Sequence, residues 1–374
     1  MSSTKRNVPF FNYPALFTSH ESEFQAIFSD VGRRGAFIQQ KDLQEFESNL
    51  ASFIGVAHAL GVGNATDGLE VALLAAGIGR GDEVILSSHT MLATAVAVHF
   101  AGATVIPVEC SADHLIDPAA VEAAVSSRTR AIMPTHLNGR TCDMDALSHI
   151  ADKHNLLIVE DAAQALGSRF KGRCAGTFGT SAAISFYPAK VLGCLGDGGA
   201  IMTNDKSVYE HSFELCNFGR SSEGSVVRWG FNSRLDNLQA ALLNFQLTKY
   251  DHVMSRRRQI ASLYTKGLLD VAEVVLPPPP DSESDHFDIY QNYEIEAKKR
   301  DSLKQHLYEQ GIGTLIQWGG QAIHHMKTLG FTQDLPDTDR MFNRMLMLPI
   351  NMTCSDEDIR YVCSCIRKFF GYPA

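Results

Sequence analysis

Between Ile158 and Asn204 the chain reads IVEDAAQALGSRFKGRCAGTFGTSAAISFYPAKVLGCLGDGGAIMTN, and three of its residues could do chemistry together. Lys190 is the only charged residue from Ser181 to Leu195, in an apolar setting followed by glycines. A lysine so placed either snorkels to water or has a depressed pKa, and then it can form an imine with an aldehyde and shuttle protons. Asp161 ends a short apolar run, and the carboxyl ends of strands are where open α/β sheets hold ligands. A carboxylate there needs a cation, such as a protonated ring nitrogen, or donors. It would serve equally well as the cap of a helix over residues 162–166. Ser185 lies between the two and offers a hydroxyl.

A phosphate seat completes the set. Gly61-x-Gly63-x-x-Thr66 lacks the third glycine of a dinucleotide fingerprint, but it reads as a strand, a turn and a helix start. The free amides and the Thr66 hydroxyl would face an anion, with or without a side-chain cap from Thr66 or Asp67. An imine-forming amine, a buried acid and a phosphate seat together suit pyridoxal phosphate.

The elements that must position these groups alternate. Strands are expected at 58–62, 83–87, 104–108, 131–134, 156–159 and 182–186, separated by helices at 69–76, 90–101, 118–125 and 144–154, after a first helix over 40–54 that stops at Gly55. Near-continuous apolar strands alternating with helices predict an α/β fold with a mostly parallel sheet covered on both faces. Residues 1–40 read as an irregular arm anchored by aromatics. Beyond Asn204 the pattern is helical (235–253, then 256–269), followed by the linker-like Pro277–Pro280 and a small α+β unit with strands at 289–295 and 313–317 and a helix at 300–310. The expected domains are 1–250 and 251–374.

Bulk composition narrows the class. The 374 residues are 45% hydrophobic and 20% charged, ordinary globular values, and the net charge of −9 argues against nucleic acid. Eight scattered cysteines without a CxxC pair fit a reducing compartment. The apolar run 91–108 is broken by His99, Gly102 and Pro107 and reads as core, not membrane span. No apolar segment follows the basic N-terminal residues, so a cytoplasmic protein is expected. His136, His324 and His325 show no metal-ligand spacing, and no metal is expected. Arg256, Arg257 and Arg258 read as a solvated helix face.

Several motifs together resemble the DegT/DnrJ/EryC1/StrS family of nucleotide-sugar aminotransferases, fold type I pyridoxal-phosphate enzymes. They are GNATDGLEVALLAAGIGRGDEV from Gly63, PTHLNGRTCDMD from Pro134, VEDAAQALGSRFKGR from Val159, SFYPAK from Ser185, GDGGAIMTN from Gly196 and FNSRLDNLQAALL from Phe231. The likeness is strong over residues 30–250 and looser beyond. It implies that Lys190 is the Schiff-base lysine, that Asp161 pairs with the pyridine nitrogen and that Gln164 bonds the phenolic oxygen. Thr66, Asp67 (through its amide) and Ser185 would hold the phosphate. Asn232 would reach the phosphate of a second subunit, which implies a homodimer with shared sites.

Two segments depart from the family pattern. Met91, in HTMLAT, stands where an aromatic ring usually covers the cofactor, so cover must come from its thioether or from His89. Leu315–Gly320 (LIQWGG) replaces a segment that often meets the sugar. The resemblance implies transfer of an amino group from L-glutamate to a C3 or C4 keto group of a nucleotide-linked deoxy- or acetamido-sugar, for surface polysaccharide or a similar glycan. Arg220, Arg228 and Arg234 flank the partner-facing segment and are candidates for a nucleotide pyrophosphate. A dehydratase or isomerase on the same fold, or a non-catalytic sensor, are the alternatives; the presence of Lys190 favours transamination.

Overall fold

The computed structural model describes residues 6–373. The first five residues of the expected arm, and Ala374, lie outside the described residues.

The arm is more ordered than the sequence reading allowed. Residues Tyr13–Thr18 form α1, with Pro14 in its first turn, and Glu21–Arg34 form α2. Glu21 and Glu23 open α2, Arg33 and Arg34 close it, and Gly35 ends it in the left-handed region at φ 62°. Phe24 and Val31 are its buried side chains, a spacing of two turns. The surrounding aromatics read as irregular anchors because few apolar residues mark the buried stripe.

Helix α3 (Lys41–Ile54) precedes β1 (His58–Val62) and α4 (Ala65–Ala75). Then come β2 (Glu83–Ser87), α5 (Leu92–Phe100), β3 (Thr104–Val108), α6 (Pro118–Ala124), β4 (Thr129–Met133), α7 (Met144–His154) and β5 (Leu157–Asp161). Two-residue strands β6 (Arg169–Phe170) and β7 (Arg173–Cys174) lead to β8 (Ser181–Ser185) and β9 (Gly199–Thr203). The main sheet has the order β1-β9-β8-β5-β4-β2-β3. Strands β8, β5, β4, β2 and β3 pair in parallel, while β9 runs antiparallel to both β1 and β8. The mostly parallel α/β sheet is therefore as expected, with β9 an element that the glycine-rich motif disguised.

Helices α8 (Lys206–Cys216), α9 (Asn237–Leu247) and α10 (Tyr250–Leu268) follow. The break between the last two falls at Thr248–Lys249 rather than beyond residue 253, because Tyr250 turns inward and donates its hydroxyl to Leu166 O at 2.8 Å. Helix α10 runs through two cores: Tyr250 and Met254 join the apolar cluster of the main sheet, Ile260, Tyr264 and Leu268 that of a second. This second core surrounds a three-stranded sheet of β10 (Val274–Val275), β12 (Tyr293–Ala297) and β13 (Met345–Leu348), covered by α11 (Arg300–Glu309) and α13 (Asp356–Phe370). Between these lie β11 (His286–Phe287), which pairs with β6, and α12 (Pro336–Phe342).

Two expected strands differ. Residues 289–292 are not strand: the amides of Ile289 and Asn292 donate to Gly139 O and Asn138 O, and Arg257 takes the carbonyls of Tyr290 and Gln291. Leu315 makes a single bridge to Met347 before the chain turns at Trp318, where φ is 54°. The arginines of α10 are not a solvated face either. Arg257 is 7% exposed and donates to Tyr290 O (2.8 Å) and Gln291 O (2.6 Å). Arg256 pairs with Asp356 and Arg258 with Asp281.

Candidate active site

Adjacent parallel strands β5 and β8 carry the acid and the hydroxyl at their carboxyl ends, with Asp161 in register with Ala183. No helix follows Asp161; the chain turns through residues 162–168 instead. The carboxylate is 4% exposed and fully engaged by neutral donors. Its Oδ2 accepts from Thr94 Oγ1 at 2.8 Å and Thr135 Oγ1 at 3.4 Å, and its Oδ1 from the Ala163 amide at 3.1 Å. Thr90 joins the two threonines through its own hydroxyl, at 2.7 and 2.8 Å. This hydroxyl network holds a carboxylate in place without neutralising it. Sequence reading missed Thr94 and Thr135; each lies in a quoted motif, at the start of α5 and just after β4, and only the sheet order brings them to Asp161.

Beyond Ser185 the chain leaves the sheet through Pro188. The Lys190 amide returns to Tyr187 O at 2.8 Å, and the side chain enters the space beside Asp161. Burial lowers its pKa to about 8, against the opposing pull of the Asp161 charge. The loop is pinned on both sides of the lysine by one side chain, Gln291. Its Nε2 donates to Ala189 O and its Oε1 accepts from the Val191 amide, both at 2.9 Å. Arg257 fixes the Gln291 backbone in turn. The irregular segment 289–292 thus exists to hold the lysine loop. Lys190, Arg257 and Asn292 also line a cavity of about 440 Å³ against Phe10, Phe11 and Tyr13 of the arm.

The anion seat is built by one close approach. Ser185 pairs with Gly199 on β9, and a Cβ on Gly199 would lie 2.6 Å from the Asn64 carbonyl carbon. Only glycine lets the start of α4 settle this near Ser185. Helix α4 begins at Ala65, earlier than expected, so its first-turn amides and Thr66 stand at this end. The cap is Asn64, not Thr66 or Asp67: its Oδ1 accepts from the Asp67 amide at 2.9 Å. That amide, expected to bind phosphate, is spoken for here; an anion would share it with Asn64. The Asp67 carboxylate accepts from Ser233 Oγ at 2.6 Å, and Ser233 Oγ also accepts from the Gly63 amide at 3.0 Å.

Gln164 is buried, and its Oε1 accepts from the Asn138 amide (2.8 Å) and Asn292 Nδ2 (3.3 Å), which leaves its NH₂ group as the donor on offer. Met91 is 49% exposed and its sulfur accepts from the Ala93 amide, so the thioether stands at the start of α5. His89 does not provide the alternative cover: it is fully buried, with its ring against Phe342 at 4.9 Å. Asn232 is exposed and bridged to Asn217, one residue before Ser233, whose hydroxyl meets the Gly63 amide and the Asp67 carboxylate. Arg228 is paired with Glu214 and Arg234 lies over Phe218.

The donor set fits pyridoxal phosphate: a depressed amine for its aldehyde, a fixed carboxylate for its ring nitrogen, an NH₂ donor for its phenolic oxygen, and helix amides with two hydroxyls for its phosphate.

Comparison with known proteins agrees. The model of the DegT/DnrJ/EryC1/StrS aminotransferase family matches residues 18–367. A dTDP-3-amino-3,4,6-trideoxy-α-D-glucose transaminase of Streptomyces venezuelae is 42% identical over 83% of this chain and 82% of its own. A pleiotropic regulatory protein of Geobacillus stearothermophilus is 36% identical over 98% of this chain and 100% of its own. Among solved structures, DesV of S. venezuelae superposes with a TM-score of 0.93 at 37% identity, over 98% of this chain and 100% of that one.

Proposed function

The chain belongs to the DegT/DnrJ/EryC1/StrS aminotransferase family, whose members depend on pyridoxal phosphate, and we propose that it moves an amino group from L-glutamate to a keto carbon of a nucleotide-linked sugar. Likeness to the S. venezuelae transaminase favours carbon 3 of a dTDP-linked deoxysugar. The carrying observation is Lys190, in the loop after β8 and depressed to about 8, beside the carboxylate of Asp161 that ends the neighbouring strand β5.

When bound, the cofactor supplies an aldehyde for the amine and a ring that accepts electrons. Asp161 is held for the ring nitrogen by two threonine hydroxyls and the Ala163 amide. The phosphate would rest on the first turn of α4 with Thr66 and Ser185. Lys190 Nζ, once released, is the base that takes a proton from the donor's α-carbon; a pKa near the working pH suits that task. Gln291 keeps the amine over the site, and Met91 covers one face.

We read the chain as two domains that meet within α10. The functional unit is a cytoplasmic homodimer in which Asn232 serves the neighbouring site. Support comes from the loop before it: Trp229 is 96% exposed and Val226, Phe218 and Phe231 are exposed with it, an apolar surface that a second copy would cover. No described helix is long and apolar enough to cross a membrane.

The test is an assay of glutamate-dependent 2-oxoglutarate release with keto-sugar nucleotides, the product located by mass and NMR. Amination at carbon 3 is the expected result. Conversion of the sugar without consumption of glutamate would favour the dehydratase or isomerase reading instead.

A further inference from the structure

We infer that His89, His114 and Glu294 form a binding site for a divalent transition-metal cation of the zinc type, tying the main sheet to the small one. His89 follows β2, His114 lies in the loop after β3, and Glu294 is on β12, so the three groups meet only in the folded chain. Their ligand atoms all lie within 4.8 Å of one another; His89 and Glu294 are buried, and the His114 side chain is 11% exposed.

The observation that points to a ligand is His89. It is 0% exposed, and neither ring nitrogen makes a hydrogen bond of normal geometry; the backbone of His114 is its one marginal neighbour. A buried imidazole normally satisfies at least one nitrogen. This one directs Nε2 toward Glu294 Oε1 at 4.0 Å, and Glu294 keeps its other oxygen, Oε2, without a partner as well.

The surroundings suit such an ion. His114 Nδ1 lies 2.8 Å from Glu294 Oε1. Donors around a tetrahedral zinc stand about 3.4 Å apart, so the 2.8 Å pair opens and the 4.0 Å pair closes by about half an ångström each. With Nδ1 on the ion, Nε2–H of His114 donates to Glu296 Oε1 at 3.3 Å, the carboxylate support that metal-bound histidines usually have. Asn138 Nδ2 steadies Glu294 Oε1 at 3.1 Å. A cavity of about 50 Å³, bordered by His114, Asn138 and Glu294, has room for a water as fourth ligand. Arg140 on its wall is already paired with Asp288 and Glu283. The ion would meet the charge of Glu294 directly; Glu296 already faces Arg344 and Arg340 through its other oxygen.

The competing occupant is a proton on His114 shared between the glutamates, which would leave His89 idle. A second cluster, His324, His325 and Asp339, has the spacing of a metal site but its ring nitrogens are already bonded, to Ser88, Ala322 and Asp339.

The test uses the full, cofactor-loaded protein, stripped with EDTA, incubated with Zn²⁺ or Co²⁺ and desalted. Elemental mass spectrometry should find about one equivalent per chain, cobalt should give visible bands of a four-coordinate ion, and zinc should raise the thermal midpoint reversibly. His89→Phe, which breaks no hydrogen bond of the ring, should fold, hold at most a tenth as much metal and lose the zinc-dependent shift; Glu294→Gln should do the same if His89→Phe does not fold. Asp339→Asn should keep the metal. The inference is overturned if the wild type retains no metal and its midpoint ignores zinc, or if the metal survives His89→Phe and disappears in Asp339→Asn.

Discussion

At Lys190 two effects oppose each other: burial disfavours the ammonium and the carboxylate of Asp161 favours it, and burial wins, bringing the amine to about 8. The neutral amine is the form that attacks an aldehyde. Uptake of pyridoxal phosphate by the cofactor-free protein, followed in the near-visible, should accelerate with pH up to about 8 and then level, whereas an ordinary lysine would keep accelerating to about 10.4. The folded value lies below the unfolded one, so the unfolded chain binds the extra proton and the cofactor-free fold gains stability as pH rises from about 8 to about 10.4, and no further above it. Replacing the lysine should abolish turnover; Lys190→Ala is expected to lower kcat by about 10³-fold or more in a steady-state assay. Asp161 depends on hydroxyls. Thr94→Val removes the 2.8 Å donor from Oδ2 and should cost about 1.5–3 kcal/mol in urea unfolding.

Among the elements, the site is an arrangement of ends: β5, β8, the start of α4 and the segment 289–292. Gly199 sets the distance between Ser185 and α4. Gly199→Ala would place a methyl 2.6 Å from the Asn64 carbonyl carbon, and α4 must retreat. Cofactor affinity should fall while the aldehyde chemistry of Lys190 persists, a difference that a titration with free pyridoxal, which lacks the phosphate, would expose: affinity for pyridoxal stays the same. Lys190, Asp161 and Ser185 were legible in the sequence because strand ends and an isolated lysine leave local marks. Gln291, Arg257 and Thr135 were not, since each acts through space on a residue far along the chain. Strand β9 was hidden by glycines, and α2 by its sparse apolar stripe. Asn64 was overlooked as a cap because Thr66 and Asp67 offered the same chemistry two and three residues later.

Across the whole molecule, the second sheet does not stand apart from the chemistry. Its β12 is preceded by the residues that pin the lysine loop, and Arg257 on α10 fixes their carbonyls, so Arg257→Met should lower both stability and the borohydride-sensitive near-visible band. The proposed homodimer would cover the exposed loop before Asn232 with a second copy. Mixing a Lys190→Ala chain with an Asn232→Ala chain should restore part of the activity in heterodimers, because one of the two sites then carries neither change. Confirmed heterodimers without recovery would mean that each chain builds its own site. The claim on which everything else rests is that Lys190 carries the cofactor. Borohydride reduction of the purified protein, digestion and peptide mass mapping test it directly. The account predicts a phosphopyridoxyl group on the peptide that contains Lys190, and the same label on another lysine, or on none, would contradict it.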